Sequence, residues 1–462
     1  MTKHVIVGGG PVATNAIETI RQFDSGASQI TLVCDEPAHS RMALPYWLSG
    51  QIPREQTHTG DDAYFQKLSV DALIGTRANS LDVAGKTLSL DNGQTLEFDK
   101  LLIATGASPV ALSIPGADLP GVQSLWTLDH TDRLLAATQS LERPRVLMIG
   151  AGFIGFIVLN AMHKRGWALT VVEREAHVLP RMLDADAAAI VESWLTNKGI
   201  QLHCGTSVQS IAAADDGALR VELDDSSTVI VDRVIVAVGI TPNLELVQGT
   251  GIDVKDGIVV NQHMQTSVAD VYAGGDVAQG PTLYGGDPEI HSIQPTAVDH
   301  GRVAGANMAG QDVSYPGSLS MNILDTCGLQ NASFGNWADH AAEALTISNT
   351  DGHVYRKLLW SDDEITGAVF VGQANDLGML TDVGMVKGIM QTRTALGPWK
   401  TYLKENSFDI RRAYVATGVA QKLAGMTLLG RPSQTRQFRF QGAKVSNQPT
   451  AAHANFVSTK AD

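Results

Sequence analysis

The sequence predicts an α/β fold, in which parallel strands alternate with helices. Two separate stretches, residues 4–33 and 146–172, each have the order of a β-branched strand, a glycine-rich turn, a helix and a second strand. This βαβ order is typical of parallel sheets, because the crossover helix carries the chain back to the same end of the sheet. Beyond Pro316 the pattern changes to short alternating strands followed by helices, which predicts a further α+β domain.

Composition limits the classes of protein to which the chain can belong. It has 462 residues, 34 basic and 48 acidic side chains, and a formal net charge of −14. The acidic balance argues against binding to nucleic acid or to an anionic membrane surface. No apolar run reaches the roughly 18 residues of a membrane span. Because the N-terminus enters a strand without a cleavable apolar region, we expect a cytoplasmic protein.

Charge is unevenly distributed along the chain. Residues 410–462 contain eight basic residues and one acidic residue, a net charge of +7, so residues 1–409 carry −21. Such asymmetry can mark a docking surface for a partner. The alternative is that the basic segment packs against the acidic body of its own chain.

The first glycine-rich turn has the spacing of a phosphate-binding loop. Gly8, Gly10 and Ala13 stand in the order Gly-x-Gly-x-x-Ala between a strand and a helix. The first glycine suits a tight turn, the second lets a diphosphate approach the backbone, and the small third residue lets the helix pack on the strand. Asp35 and Glu36 follow the next strand, where a carboxylate can bind ribose hydroxyls.

The second glycine-rich turn matches the same pattern more strictly. Gly150, Gly152 and Gly155 have the spacing Gly-x-Gly-x-x-Gly, and Glu173 ends the following strand. A carboxylate there accepts hydrogen bonds from the ribose and repels a 2′-phosphate, which favours NAD over NADP. Arg174 weakens this preference, since an arginine can bind a 2′-phosphate. The two motifs together predict two Rossmann-like dinucleotide-binding domains.

Further elements are predicted from apolar runs and turn residues. They are a loop at 37–62, a strand at 101–104 ending at Thr105-Gly106, a strand at 234–238 ending at Gly239, a strand at 266–276 ending in Gly274-Gly275-Asp276, and a helix at 296–308 after Pro295. In the C-terminal part, strands are predicted within 319–335 and 353–371 and helices at 376–392 and 398–405.

These motifs resemble those of the pyridine nucleotide–disulfide oxidoreductase superfamily, whose members are flavoproteins with two dinucleotide-binding domains. The resemblance covers about residues 1–400 and rests on five motifs in the family's order: Gly8–Ala13, Ala104–Gly106, Gly150–Gly155, Gly239–Asn243 and Tyr272–Asp276. It implies that the first site binds FAD and the second binds NAD(P)H. Residues 38–50 are most similar to NADH oxidases and CoA-disulfide reductases, and the flavin module also resembles part of large nitrite reductase subunits.

The resemblance also implies which residues bind the two nucleotides. Those implied for FAD are Gly8, Gly10, Ala13, Asp35, Glu36, Thr105, Gly106, Gly275, Asp276, Thr296 and Ala297. Those implied for NAD are Gly150, Gly152, Ile154, Gly155, Glu173 and Gly239. Asp276 would hold the ribityl or pyrophosphate part of FAD. The helix after Pro295 would direct its positive N-terminus to the flavin C2 carbonyl through Thr296 and Ala297.

Two positions depart from the family pattern. Met42 stands where the NADH oxidase branch has a redox-active cysteine, and a thioether cannot form a thiolate or a mixed disulfide. Ile157 stands where family members usually have a glutamate near the nicotinamide, so reduction by NADH is expected to be slow or to depend on other groups. The cysteines Cys34, Cys204 and Cys327 are interpreted as structural.

Without a cysteine relay, electrons must leave the flavin directly. The sequence therefore predicts an FAD-dependent NAD(P)H oxidoreductase whose acceptor is a small, acidic electron-carrier protein, as in ferredoxin and rubredoxin reductases. Dioxygen or another small oxidant, and a separate catalytic partner, remain as alternative acceptors. A non-catalytic subunit stabilised by FAD is the competing interpretation. Arg41, near the flavin, is a candidate contact for the acceptor or an ordinary surface arginine.

The remaining candidates are less informative. Tyr46 and Trp47 could line the flavin pocket or belong to the core, and His291, Asp299 and His300 could move protons or be ordinary residues of the surrounding loops. The histidines have no metal-ligand spacing, so no metal is predicted.

The predicted FAD domain comprises 1–112 and 244–315, and the NAD(P) domain is 113–243. A C-terminal α+β domain at 316–442, of the kind that forms the family's homodimers, precedes a disordered tail at 443–462.

Overall fold

The protein is described here from a computed structural model, which covers residues 1–425, 428–429, 438–440 and 456–458. In the N-terminal part, the strands are β1 (Lys3–Val7), β2 (Gln29–Cys34), β3 (Val70–Ile74), β4 (Ala78–Asp82), β5 (Thr87–Leu90), β6 (Thr95–Glu97), β7 (Lys100–Ile103) and β8 (Ala107–Pro109). The helices are α1 (Pro11–Asp24), α2 (Leu44–Leu48) and α3 (Asp62–Lys67), with short 3-10 helices at Arg41–Ala43 and Arg54–Thr57.

The middle part contains the second βαβ unit. Its strands are β9 (Val122–Ser124), β10 (Arg145–Ile149), β11 (Ala168–Glu173), β12 (Gln201–Cys204), β13 (Val208–Ala213), β14 (Leu219–Leu223), β15 (Thr228–Val231), β16 (Arg233–Val236) and β17 (Ile240–Pro242). Its helices are α4 (Leu128–Thr138), α5 (Phe153–Lys164) and α6 (Ala185–Asn197), with a 3-10 helix at Asp215–Gly217.

The chain then returns to the first unit before it forms the C-terminal part. The returning elements are β18 (Ile258–Val259), β19 (Val271–Ala273), β20 (Ala278–Gln279) and α7 (Gln294–Met308), with 3-10 helices at Glu245–Val247 and Gly275–Val277. The C-terminal elements are β21 (Met321–Thr326), β22 (Leu329–Gly335), β23 (Glu343–Asn349), β24 (Val354–Ser361), β25 (Glu364–Gln373), α8 (Leu377–Gln391), α9 (Pro398–Glu405), α10 (Ile410–Ala416), α11 (Val419–Gly425), β26 (Phe438–Phe440) and β27 (Phe456–Ser458).

Two parallel sheets form the frame for the site, which confirms the predicted α/β class. The first has the strand order β19-β7-β1-β2-β3, and the second has the order β12-β11-β10-β16-β9. In both sheets the strand that precedes the glycine-rich turn lies at the centre. The carboxyl ends of these central strands are where nucleotides bind in open α/β sheets.

Close packing between α1 and α7 fixes the wall of the first unit. A Cβ atom on Gly301 would lie 2.4 Å from the carbonyl oxygen of Val12, and one on Gly305 would lie 2.6 Å from that of Ala16. Both contacts are too short for any side chain. The two glycines of α7 therefore allow the helix to lie directly on the backbone of α1.

The chain crosses between the two nucleotide-binding units twice, and the two crossings are paired. Strand β8 leaves the first unit and β17 returns to it, and they form a two-stranded antiparallel ribbon. The C-terminal sheet, β21-β22-β25-β24-β23, packs on the second unit. There Asp184 accepts hydrogen bonds from the hydroxyl of Tyr355 at 2.8 Å and from Lys357 Nζ at 3.0 Å.

Some predicted elements differ from the structure. The segment 37–62 is not a plain loop, since it contains α2 and two 3-10 helices. The predicted strand at 266–276 is reduced to β19, because residues 266–271 form a turn closed by a hydrogen bond from Thr266 N to Val271 O, with Asp270 at a φ of +62°. The predicted tail at 443–462 lies outside the described residues, apart from β27, which pairs with β26.

Among the described residues, no helix combines the length and the apolar character required to cross a bilayer.

Candidate nucleotide-binding site

A cavity of about 1340 Å³, part of it open to solvent, lies between the two nucleotide-binding units. Its polar wall comes from the first unit and includes the turn at 8–12 and the segment that follows β2. Its apolar wall comes from α5 and the chain before α4, with Leu125, Trp126, Phe153, Ile157 and Val158. The cavity therefore joins a polar end suited to phosphates and sugars to an apolar end suited to flat rings.

The first glycine-rich turn is held in place by the backbone around it. Gly8 has a φ of +108°, its N–H donates to Val33 O at 2.8 Å, and a Cβ there would lie 2.1 Å from Ala104 O. Gly10 has an ordinary φ of −80°, and a Cβ there would meet no protein atom within 4 Å. Ala13 is buried in α1 and does not line the cavity. Since nothing in the protein requires a glycine at 10, the open space beside it fits an approaching diphosphate.

In the second turn, as in the first, the protein's own backbone requires some of the glycines but not the one at the start of the helix. Gly150 has a φ of +99°, and a Cβ there would lie 2.4 Å from Ala237 O. A Cβ on Gly155 would lie 2.6 Å from Gly150 O, whereas one on Gly152 would meet no atom within 4 Å. The space beside Gly152 again fits a diphosphate at the start of a helix. These glycines lie outside the large cavity, while Ile154 of the same turn lines it.

Glu173 holds the second turn from beneath. Its buried carboxylate accepts hydrogen bonds from the N–H groups of Ala151 at 2.6 Å and of Glu175 at 2.9 Å. Each oxygen keeps a second lone pair that could accept from a ribose hydroxyl. The neighbouring Arg174 is largely exposed and is paired with Glu175 at 3.1 Å. Gly239, with a φ of +126°, follows β16 and does not line the cavity.

Asp35 and Glu36 both line the cavity, at the end of β2. Asp35 is the more exposed and lies 3.8 Å from Arg77. Glu36 is more deeply placed, and burial raises the pKa of its carboxyl group. Its Oε1 lies 3.8 Å from Arg41 Nη2.

The remaining residues implied for FAD lie at or next to the same cavity. Thr105, Gly106, Gly275, Asp276 and Ala297 line it, and Thr296 is buried behind it. Burial raises the pKa of the Asp276 carboxyl group.

The loop that carries Asp276 is fixed by a histidine. The N–H of Gly275 donates to His300 Nδ1 at 3.2 Å, and burial lowers the pKa of this histidine to about 4. His300 is thus a neutral acceptor inside the fold, and it does not line the cavity. His291 and Asp299 do not line it either, so none of the three candidates for proton transfer is at the cavity wall.

Helix α7 begins at the cavity without a side-chain cap, after Ile293. The N–H of Ala297 already donates to Ile293 O at 3.1 Å. Ala297 therefore contributes its methyl group to the wall, and the uncapped helix end is presented through Gln294, which the sequence did not single out.

Arg41 has three partners at the cavity wall. Its Nη1 donates to Ala107 O at 3.1 Å, its Cζ lies 4.5 Å from the ring centroid of Trp126, and its Nη2 faces Glu36. Trp126 Nε1 donates to the same carbonyl of Ala107 at 2.8 Å. The sequence carried no signal for Trp126, because this contact joins segments that are 85 positions apart.

Met42 lines the cavity and is 42% exposed. None of the three cysteines lines the cavity. Burial raises the pKa of Cys34, of Cys204 and of Cys327 to about 12. Cys34 lies beneath the first turn, 3.1 Å from the position a Cβ on Gly9 would take. Burial thus favours the protonated thiol over the reactive thiolate at all three positions.

Tyr46 lies at the surface, whereas Trp47 lies in the core. Tyr46 is 52% exposed, Trp47 is buried, and neither lines the cavity. Within the part of the chain that the structure describes, no group of three His, Cys, Asp or Glu side chains is placed to hold a metal ion.

Two turns that fit diphosphates, with a cavity lined by the first turn and by Ile154 of the second, are the features expected of an enzyme that uses two dinucleotides. A family model described as "Pyridine nucleotide-disulphide oxidoreductase" matches residues 2–301. The chain belongs to this family, and it is an FAD-dependent NAD(P)H oxidoreductase.

Comparison with known proteins places the chain among electron-transfer enzymes. It is 28% identical over 383 residues to the assimilatory nitrate reductase electron transfer subunit of Bacillus subtilis, covering 82% of this chain but only 48% of that protein. It is 28% identical to the NADH-dependent phenylglyoxylate dehydrogenase subunit epsilon of Aromatoleum evansii, covering 89% and 96%. A solved NAD-dependent persulfide reductase from A. fulgidus aligns with a TM-score of 0.78 at 28% identity, covering 86% and 78%.

Proposed function

We propose that this protein passes electrons from NADH through bound FAD to a small electron-carrier protein, without a cysteine relay. The observation that carries the proposal is the thioether of Met42 in the cavity wall, together with the absence of all three thiols from that wall. FAD, when bound, supplies two-electron acceptance from a nicotinamide and stepwise release to an acceptor. Without a thiol beside the ring, the acceptor must receive electrons from the flavin itself.

The chain's own residues bind and position the two nucleotides. The turn at Gly10 would bind the FAD diphosphate, Asp35 and Glu36 its adenosine, and Asp276 its ribityl part. The uncapped end of α7 would place positive potential at the flavin ring and stabilise its anionic reduced form. The apolar wall around Ile157 would exclude water from the space in which the flavin and nicotinamide rings face each other.

A preference for NADH over NADPH belongs to the proposal. Glu173 is fixed by two backbone N–H groups and presents negative charge where a 2′-phosphate would lie. Arg174 is paired with Glu175, so it is not free to offset that charge. We expect NADH to bind at least tenfold more tightly than NADPH.

The acceptor is proposed to be an acidic carrier protein. Arg411 and Arg412 of α10 are exposed at the beginning of the basic C-terminal segment, and most of that segment lies outside the described residues. One relative is named as the electron transfer subunit of an assimilatory nitrate reductase, and another as a subunit of an NADH-dependent dehydrogenase, which supports a protein acceptor. We propose a cytoplasmic homodimer, with the C-terminal sheet domain as the dimerisation domain.

A non-catalytic subunit stabilised by FAD is the second candidate. Met42 and Ile157 favour it, because two groups with catalytic roles in relatives are replaced. The second turn argues against a non-catalytic subunit. Neither the backbone conformation nor the packing requires a glycine at position 152, so a bound nucleotide is the remaining reason for a glycine there.

Anaerobic stopped-flow absorbance tests the proposal. FAD-loaded protein is mixed with NADH and separately with NADPH, and bleaching near 450 nm is followed. We expect NADH to bleach the flavin of the native protein. The variant Gly152→Ala should keep its FAD but should no longer be bleached by NADH, because the added methyl group fills the space proposed for the diphosphate. Absence of bleaching with either nucleotide would refute the reductase.

Reoxidation of the reduced flavin identifies the acceptor. Reoxidation by ferredoxin or rubredoxin much faster than by air supports a carrier protein, and the reverse order would establish the oxidase alternative.

A further inference from the structure

His300 is a buried histidine on α7, next to the turn that carries Asp276. Only 2% of its surface is exposed, and it is not part of the cavity wall. The sequence left proton transfer open for it, but a ring away from the wall cannot exchange protons with a ligand in the cavity. Its hydrogen bonds indicate a different role, which is to hold the turn at 274–276 in place.

The turn at 274–276 is confined between α1 and α7. A Cβ on Gly275 would lie 2.7 Å from Val12 Cγ2, and one on Gly274 would lie 3.1 Å from His300 Cβ. Gly275 also has a φ of +75°, a conformation that glycine adopts at little cost. Its buried N–H donates to His300 Nδ1 at 3.2 Å. The histidine ring therefore fixes the backbone immediately before Asp276, which lines the cavity.

This hydrogen bond also fixes the tautomer of His300. Because Nδ1 accepts, the proton of the neutral ring is on Nε2. Burial lowers the pKa of His300 to about 4, so the ring is neutral at pH 7. The Nε2–H group has no acceptor among the described residues. A buried donor without an acceptor is costly, which predicts a polar group close to it.

His291 carries the complementary atom. Its Nε2 lies 3.0 Å from Glu289 Oε2, and an ionised carboxylate can only accept, so Nε2 donates. The lone pair of the neutral His291 ring is then on Nδ1. This atom is buried, and it has no hydrogen-bond partner in the part of the chain that the structure describes. One ring thus has an unpaired donor and the other has an unpaired acceptor.

The two unpaired atoms belong to neighbouring segments. Gly280 and Glu289 form an antiparallel bridge, in which each N–H donates to the other residue's carbonyl, at 3.0 and 2.9 Å. A Cβ on Gly280 would lie 3.8 Å from His300 Nε2, so this edge of the ring faces the bridge. His291 follows Glu289 by two residues, and a positive charge on His291 would lower the pKa of His300 further. No direct hydrogen bond joins the two rings, so one buried water is the group that can join them.

We propose that His300 is a positioning residue for FAD, held at both ring nitrogens. Its Nδ1 fixes the turn of Asp276, and its Nε2 donates through one buried water to His291, which Glu289 orients. The chain of hydrogen bonds thus runs from an exposed carboxylate to the cavity wall. It keeps the Asp276 carboxylate in one orientation before FAD arrives, which reduces the entropy lost on binding. The role rests on FAD binding, as set out under the proposed function.

Two amide substitutions separate the functions of the two ring nitrogens. In His300→Asn the side-chain oxygen takes the place of Nδ1, whereas in His300→Gln the amide takes the place of Nε2 and Gly275 loses its acceptor. Apoprotein is titrated with FAD, and binding is followed by flavin fluorescence. We expect FAD affinity to fall less than about threefold in His300→Asn and more than about tenfold in His300→Gln. Equal losses in the two variants would indicate packing alone and would overturn the proposal.

A double-mutant cycle tests whether His300 acts through Asp276. In the background Asp276→Ala no carboxylate remains to be positioned. The loss of FAD affinity caused by His300→Gln should then shrink from more than about tenfold to less than about threefold. An undiminished loss would show that the histidine supports the fold in general, and this would also overturn the proposal.

His4 provides a matched control for His291. It is as buried as His300, it lies in β1 of the same unit, and its Nδ1 also lacks a partner among the described residues. We expect His291→Leu to weaken FAD binding by about threefold, since His300 loses its acceptor. His291→Asn, which keeps an oxygen near the position of Nδ1, and His4→Leu should bind FAD as the native protein does. Equal losses in His291→Leu and His4→Leu would overturn the link to His291.

Nitrogen NMR of the native protein at pH 7 tests the tautomers even if the His300 variants do not fold. The ring nitrogen shifts should place the proton on Nε2 in both His291 and His300. A proton on Nδ1 of His300 would overturn the proposal, because that atom could not accept from Gly275. Any of these contrary results with intact FAD binding leaves the proposed function standing. Failure of the apoprotein to bind FAD would refute the proposed function itself, whereas the expected affinities without bleaching by NADH would reject only the reductase.

Discussion

At the scale of single residues, the proposed transfer of electrons without a cysteine relay rests on Met42 in the cavity wall. Its side chain is exposed to both the cavity and the solvent, while Cys34 and Cys327 are buried and Cys204 is half-buried, all three away from the cavity wall. Burial raises the pKa of each thiol to about 12. Because burial disfavours the thiolate, these thiols stay protonated at pH 8. Alkylating reagents that react with thiolates should therefore find no target at the site.

We predict that iodoacetamide at pH 8 leaves NADH-dependent bleaching unchanged in the native protein. The variant Met42→Cys supplies the positive control, because it places a thiol in the cavity and should become sensitive. The measurement is the bleaching rate against the number of alkylated cysteines by mass spectrometry. Loss of activity in step with labelling of the native protein would contradict the cysteine-free mechanism.

The first turn allows a glycine needed for the fold to be separated from one that fits a ligand. Gly10→Ala should change the unfolding free energy of the apoprotein by less than about 0.5 kcal/mol, because its Cβ enters open space. It should weaken FAD binding more than tenfold by filling that space. Gly8→Ala should destabilise the apoprotein by more than about 3 kcal/mol, because of its φ of +108° and the collision with Ala104.

Urea unfolding and FAD titration of both variants check this contrast. Equal losses of stability in the two variants would show that Gly10 serves the fold. Unchanged FAD affinity in Gly10→Ala would move the diphosphate away from the turn.

The sequence indicated the glycines and carboxylates of the site because their spacing along the chain reflects local geometry. Arg41 was expected near the flavin, but its stacking on Trp126 was not. That contact depends on how two units meet, which no local pattern encodes.

At the scale of elements, the ribbon of β8 and β17 is the covalent junction between the two nucleotide-binding units. The carbonyl of Ala107, the first residue of β8, accepts from both Arg41 and Trp126. Trp126 belongs to the chain before α4, and Arg41 belongs to the first unit. This shared carbonyl therefore links both units to the ribbon beside the cavity. In the proposed function, this link would help to set the distance between the flavin and nicotinamide rings.

We predict that Trp126→Phe lowers the limiting rate of flavin reduction by about three- to tenfold and changes FAD affinity less than twofold. Phenylalanine keeps the stacking surface for Arg41 but cannot donate to Ala107, so the position of the units becomes less fixed. Stopped-flow rates at saturating NADH are the measurement. Trp194→Phe is a matched control, because it loses an equivalent bond to Cys327 O, 3.1 Å long, outside the cavity.

An unchanged rate in Trp126→Phe would show that the ribbon alone sets the geometry. Equal losses in both tryptophan variants would point to general destabilisation.

The longer elements were predictable and the irregular ones were not. Helix α7 begins within two residues of its predicted start, since Pro295 favours the first turn of a helix. The predicted strand at 266–276 failed because an apolar run does not reveal a turn in which Asp270 adopts a left-handed conformation. The short helices within 37–62 are held by tertiary contacts, such as the buried Trp47, more than by their own periodicity.

At the scale of the whole molecule, Asp184 links the second unit to the C-terminal sheet. Its Oδ1 caps α6 through the N–H of Ala187, while its Oδ2 accepts from Tyr355 and Lys357. Burial opposes ionisation, but the hydrogen bonds from Lys357 and Tyr355 outweigh it and lower the pKa of Asp184. The stabilisation is therefore present above the unfolded pKa, near 3.8, and is lost as the pH falls through the lower, folded value.

We predict that Asp184→Ser lowers the unfolding free energy at pH 7 by about 1–2 kcal/mol, since serine can cap α6 but cannot reach the sheet. Asp184→Ala should lose about 1 kcal/mol more, because the cap is also removed. Urea unfolding at pH 7 and below pH 4 tests both values. The difference between native protein and variants should shrink at the lower pH, and a constant difference would contradict the role of the carboxylate charge.

The interrupted arrangement of the first unit was predictable because the motif at 272–276 comes long after the first glycine-rich turn. The packing of the C-terminal sheet on the second unit was not predictable. Its strands alternate between apolar and polar residues, and this pattern does not indicate which surface the apolar face contacts. The domain boundaries remain predictions, although the strand order is consistent with an inserted second unit.

This interruption has a consequence for biosynthesis. The first sheet is completed only when β19 joins β7, and 168 positions separate Ile103 from Val271. At 5–20 residues per second, a ribosome needs about 8–34 s to bridge that gap. The strands β1 to β7 thus leave the exit tunnel first, but the inserted unit is complete before they are joined by β19. During this interval the unfinished first sheet has an open edge. A nascent chain shorter than about 300 residues should fail to retain FAD, and the waiting edge is where chaperones would be expected to act.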